Sequence, residues 1–193
     1  MSLNKDEPNL PNDIDKSALI FIDVINDFNF ADGYELLQHA IPMAERLAKF
    51  KKIAKEQNIP VIYVNDHYGN WRYDFRTLVN HCMRNESLGK EVVQQLLPEH
   101  GDYHILKPQY SGFFYTPLDL LLDNLNVNKL ILTGVSGNMC VQFTANDAYM
   151  RGYHLHTPSD AIASRHVEEN NKALHLMEKV LKADISPLFY NTE

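Results

Sequence analysis

Short apolar runs alternate with longer amphipathic stretches along nearly the whole chain. Continuous apolar runs of four to eight residues read as strands buried on both faces. Interleaved with helical periodicity, they predict βαβ units and a parallel sheet. Six strands are expected: Ala18 to Ile22, Pro60 to Val64, Tyr103 to Leu106, Leu130 to Leu132, His154 to Thr157 and Ala183 to Ser186. Between them, Met43, Leu47, Phe50 and Ala54 form a stripe at helical spacing, with Pro42 suited to that helix's first turn. Thr116 and Pro117 read as a cap and first helical position ahead of Leu118, Leu121, Leu122 and Leu125. A helix from Cys140 to Arg151 should stop at Gly152, and Ala173, Met177, Val180 and Leu181 mark a last one. The pattern predicts a single-domain α/β fold, a doubly wound (Rossmann-like) six-stranded, mainly parallel sheet with helices on both faces. It spans 17–193 behind an irregular arm over 1–16. In such a sheet the first strand lies beside the fourth, at the topological switch point.

Three of these strands end on chemistry. The first runs into Asp23 and the third into Lys107. The fourth breaks at Gly134-Val135-Ser136-Gly137-Asn138-Met139 and delivers Cys140 to the start of a helical pattern. A helix N-terminus favours a thiolate and offers backbone N–H groups to an oxyanion. From its own segment Cys140 reads equally well as a small buried hydrophobe. Ligands of open parallel sheets bind outside the carboxyl ends of the strands. If these strands neighbour one another, a thiol, a base and a cation converge there. On this reading Cys140 should be largely ionised near neutral pH, sharing a proton with Asp23.

Composition narrows the field. The chain has 193 residues, enough for one full core, and a formal net charge of -7 with no basic run, which counts against a nucleic-acid partner. No apolar segment approaches the length of a membrane span, and the polar N-terminal stretch does not read as a signal peptide. Two cysteines make no disulfide framework. A cytoplasmic protein acting on a small molecule is expected, without nucleic acid or membrane, as a homodimer or homotetramer.

The segments Asp23-Val24-Ile25-Asn26-Asp27-Phe28, Lys107-Pro108-Gln109-Tyr110-Ser111-Gly112-Phe113, Gly134 to Val141 and Ala145 to Tyr153 resemble, in that order, the isochorismatase-like cysteine hydrolases. That family includes nicotinamidases and N-carbamoylsarcosine amidohydrolase. The resemblance covers nearly the whole chain and implies a catalytic triad of Asp23, Lys107 and Cys140. It also implies a cis peptide between Val135 and Ser136, and an oxyanion hole from the backbone N–H groups of Ser136 and Cys140. The implied reaction is cleavage of a C–N bond in a small amide, carbamoyl or ureide substrate through a thioester.

Three departures refine the expectation. Ile25 stands where relatives often carry Gln. Asn65 stands where metal-dependent nicotinamidases carry an Asp, and only His67 remains of their histidines, so neither metal nor cofactor is expected. Asp66 and His67 then read as loop residues. Cys140 separates the chain from isochorismatases that cleave a vinyl ether and lack the cysteine. Phe28, Trp71, Tyr110 and Phe113 could wall a planar pocket or serve as core or dimer contacts. The long connection from Asp66 to Gly89 reads as a lid or binding loop. The rival readings are a metal-dependent nicotinamidase-type amidase and a non-catalytic scaffold on the same fold. A dinucleotide-binding protein is disfavoured because no Gly-x-Gly-x-x-Gly turn follows the first strand.

Overall fold

The structure is a computed structural model that describes Pro8 and residues 16–189, so most of the expected N-terminal arm lies outside the described residues. Its strands are β1 (Ser17–Ile22), β2 (Val61–Asp66), β3 (Tyr103–Lys107), β4 (Lys129–Val135), β5 (His154–His156) and β6 (Ile162–Ala163). They form one sheet in the order β3-β2-β1-β4-β5, with β6 also on β4. Every pairing is parallel, and β1 lies beside β4.

The sheet is covered on both faces, as continuous apolar strands require. Leu19 and Phe21 of β1 point into one core, under α1 (Gly33–Glu56), α2 (Phe75–Cys82) and α3 (Lys90–Gln95). Ala18, Ile20 and Ile22 point into the other, under α4 (Leu118–Asn124), α5 (Gln142–Met150) and α6 (Val167–Leu181). The leucine, isoleucine and phenylalanine side chains among them, fully buried, each contribute about 1.5–3 kcal/mol.

Several expected elements fall elsewhere. The sixth strand is Ile162–Ala163, paired with Gly134 and Val135. Ala183 to Ser186 makes only an isolated bridge from Asp184 to His156. There the Asp184 carboxylate accepts from the backbone N–H of Ser186 at 2.9 Å and its hydroxyl at 2.7 Å, a local turn that competes with a ladder. Pro42 sits inside α1, which begins at Gly33. It lies on the exposed side one turn after exposed Gln38, whose freed carbonyl can face water. In α6 the buried stripe uses Leu174, while Val180 is 59% exposed. The connection after β2 contains α2, capped by an Asp74 carboxylate that accepts from the Thr77 N–H at 2.6 Å. The chain also enters α5 through a π-helical turn at Gly137–Val141, so Cys140 precedes the α-helix.

Candidate active site

Asp23 directly follows β1 with φ 50, a left-handed conformation that Asp tolerates better than most residues. Its amide stays on the ladder, donating to Val64 O at 3.1 Å. Beside it, β4 closes on β1 through Gly134 (φ +107), where a Cβ would lie 2.1 Å from Ile22 O. Only glycine allows that approach. The next peptide, Val135–Ser136, is cis. The π-helical turn then presents Cys140, with Ser136 O accepting from the N–H groups of Met139 at 3.0 Å and Val141 at 3.1 Å. Single π turns recur at functional sites.

Lys107 ends β3, with β2 and β1 between it and the cysteine's strand. Its long side chain crosses those strand ends and is completely buried. The ammonium lies 2.9 Å from Asp23 Oδ2 and 3.5 Å from Cys140 Sγ, and donates to Gln109 O at 3.2 Å. The three residues singled out from the sequence thus meet at one point, at the carboxyl end of the sheet.

A fourth group belongs to the cluster. Asp66 closes β2 in register with Lys107 and holds a carboxylate oxygen 3.8 Å from the ammonium. Its N–H donates to Asp23 Oδ1 at 2.7 Å, which orients the carboxylate. The loop role expected for Asp66 is therefore corrected. The signal available in the sequence was its position at the end of a strand, in the same row as Asp23 and Lys107.

The electrostatics correct the expectation of a largely ionised thiol. Burial pushes the Cys140 thiol well above its ordinary value, and the Asp23 charge pushes the same way. Lys107 opposes both without overcoming them. For the lysine, burial works against the charged form, but Asp23 and, less strongly, Asp66 hold the ammonium above its usual range. The thiol therefore keeps its proton beside the Asp23–Lys107 ion pair.

Of the expected pocket aromatics, Trp71 and Tyr110 are exposed, Trp71 over His67 at 4.5 Å and Tyr110 against Phe143 at 5.3 Å. Phe28 and Phe113 are buried in the two opposite cores, where Phe113 also meets Tyr153 at 5.9 Å and the Arg151 guanidinium at 4.7 Å. Apolar aromatic character serves core and pocket alike, and here burial assigns both rings to the core. Arg72, Arg76 and Arg84 point to solvent.

The metal position implied by the resemblance to nicotinamidases falls on Asn65 and His67. Asn65 spends its Nδ2 on Ile25 O at 2.8 Å, leaving Oδ1 without a partner, and neither buried ring nitrogen of His67 has one. One amide oxygen and one imidazole are too few for a structural or catalytic zinc or iron site. Among the described residues no group of three His, Cys, Asp or Glu side chains could hold a metal ion.

A parallel doubly wound sheet that gathers a thiol, a carboxylate and an ammonium at the carboxyl ends of its strands is the architecture of an α/β enzyme. An isochorismatase-domain profile matches residues 17–185, and the chain belongs to the isochorismatase family. It is 41% identical over 169 residues to the uncharacterized isochorismatase family protein YaaI of Bacillus subtilis (strain 168), covering 88% of this chain and 92% of that protein. It is 30% identical over 166 residues to the ureidoacrylate amidohydrolase RutB of Methylorubrum extorquens (strain DSM 6343 / CIP 106787 / DM4), covering 73% of this chain and 67% of that one. Among solved structures, N-carbamoylsarcosine amidase from Thermoplasma acidophilum superposes with a TM-score of 0.65 at 28% identity, over 92% of this chain and 99% of that chain.

Proposed function

We propose that this protein hydrolyses a C–N bond in a small amide, carbamoyl or ureide substrate, with Cys140 as nucleophile, Asp23 as proton acceptor and donor, and Lys107 as the compensating cation. The observation that carries the reading is the Asp23–Lys107–Cys140 contact, with the ammonium 2.9 Å from the carboxylate and 3.5 Å from the sulfur. The similarity to a ureidoacrylate amidohydrolase and to an N-carbamoylsarcosine amidase supports the substrate class.

The sulfur attacks the substrate carbonyl carbon as its proton passes to Asp23. Lys107 offsets the negative charge that builds on the sulfur as its proton leaves. The tetrahedral oxyanion is assigned to the backbone N–H groups of Ser136 and Cys140, where one such donor is typically worth roughly 10²–10³ in rate. Collapse breaks the C–N bond, and Asp23 returns the proton to the departing nitrogen. Water then attacks the thioester, losing a proton to Asp23, and the acid or carbamate product leaves as that proton restores the thiol. The two-stage route divides one difficult step into two easier ones.

The test is an ammonia-release screen over carbamoyl compounds, ureides, simple amides and nicotinamide, run after exhaustive dialysis against a chelator. Turnover of one of these classes is expected to survive dialysis and to disappear in Cys140→Ala. Retained turnover in that variant would remove the thiol from the reaction. Activity that vanished on dialysis and returned with zinc or iron would favour a metal-dependent amidase.

A further inference from the structure

We propose that Thr144 is a positioning residue that fixes the spacing between Lys107 and Cys140 by tying the loop after one to the turn that bears the other. The proposal rests on the hydrolase reading above. Thr144 lies on the first turn of α5 and is fully buried. Its hydroxyl donates to the Cys140 carbonyl at 2.7 Å and accepts from the Gly112 N–H at 2.9 Å. The first bond is what any helical threonine can make to the residue four positions back. The second is not local: it reaches across 32 residues to the segment that starts at Lys107.

That segment is held at a tight approach. A Cβ on Gly112 would lie 2.9 Å from Val64 Cγ1 and 3.3 Å from Leu118 Cδ2. One residue earlier, the Ser111 hydroxyl donates to Asp147 of the same helix at 2.5 Å and accepts from the Phe113 N–H at 3.2 Å. Thr144 and Asp147 lie three residues apart on one helix face. Together they grip consecutive loop residues, and Thr144 alone also holds the nucleophile's own carbonyl. Without its hydroxyl the buried Gly112 N–H would lose its acceptor, and the loop would have to move to find another. The ammonium–sulfur distance is already 3.5 Å, so a small retreat removes the contact.

Thr144→Val keeps the shape of the side chain and removes both bonds. The expected result is a fall in kcat of about tenfold to a hundredfold, the size of a sub-ångström to one-ångström misplacement, with KM within about twofold. Iodoacetamide labelling of Cys140 should shift to higher pH in the same variant, and Thr144→Ser should restore both rate and labelling profile. Labelling needs no substrate, so it still reports if the hydrolase reading fails, whereas that reading stands or falls on Cys140→Ala. A Thr144→Val protein with lowered thermal stability but wild-type kcat and labelling would overturn the proposal and leave the residue purely structural. Should Thr144→Val fail to fold, Ser111→Ala releases only the neighbouring grip. It must then show a smaller labelling shift in the same direction, and a wild-type profile would overturn the proposal.

Discussion

Lys51 and Lys107 are two buried lysines at opposite ends of one sheet, and their surroundings separate a charge that holds structure from the one we assign to chemistry. Lys51, on α1 near the strand entrances, meets Asp102 at 2.8 Å and Glu99 at 3.2 Å and donates to Leu97 O at 2.8 Å. Lys55 repeats the pairing from one turn further on, at 3.1 Å to Asp102 and 2.9 Å to Glu99. Two cations face two anions, and every strong partner is a permanent one. Lys107 has one close carboxylate, one carbonyl, a more distant Asp66 and a thiol that carries its own proton. Its environment is complete only once the sulfur has lost that proton. A buried ion pair seldom adds net stability, so an ammonium left facing a neutral thiol calls for a functional explanation.

The comparison breaks most sharply at Lys107→Met. Losing the cation should cut turnover by about 10²–10³, the scale of a preorganised electrostatic contact in a desolvated site. It should also move Cys140 labelling to higher pH, since Lys107 is the group that pulls the thiol downward. Steady-state kinetics and labelling across pH measure both. A Lys107→Met protein with wild-type turnover would make Lys107 a second Lys51.

Lys51→Met is the converse experiment, with an effect on stability and none on chemistry. Removing one partner of a buried pair costs about 3–5 kcal/mol where the remaining charge is stranded. Here Lys55 still reaches Asp102, so the loss should be about 2–3 kcal/mol, below that range. Urea denaturation would measure it, with kcat expected to stay at wild type. A kcat loss with unchanged stability would mean that the two ends of the sheet are coupled.

The row of Asp23, Lys107 and Cys140 is legible in the sequence for a physical reason. Strands buried on both faces must be apolar, so a charge that breaks the run marks its end, and three ends in a doubly wound sheet share one edge. Asp66 was hidden by its neighbours: Asn65 and His67 are polar too, so the boundary of β2 is blurred. Thr144 was hidden because a helical threonine near Cys140 carries no signal of a partner 32 residues away. The two-residue β6 is too short to show any periodicity, whereas Ala183 to Ser186 imitates a strand that its own Asp184 turn prevents. For α2 the signal was present. Asp74 precedes Phe75, Leu78 and Cys82 at helical spacing, but the aromatic and arginine content of that stretch suggested a binding loop instead.

The smallest expected effect extends the contrast to a buried titratable group with no strong countercharge. His156, at the end of β5, donates through Nε2 to Ser186 O at 2.9 Å and leaves buried Nδ1 without a partner. Burial is the largest influence and lowers its pKa from the ordinary value of 6.5, aided by Lys129. The Ser186 carbonyl, Asp184 and Asp160 resist without prevailing. The folded protein therefore binds this proton less readily than the unfolded chain, so stability rises with pH across the interval between the two values. The contribution is intact above about pH 6.5 and is lost progressively as pH falls below it, because the unfolded imidazole charges first. Thermal melts between pH 7.5 and 5 should show the midpoint falling over that range, and His156→Gln should flatten the fall while keeping a donor for Ser186 O. An unchanged slope in the variant would place the acid sensitivity elsewhere.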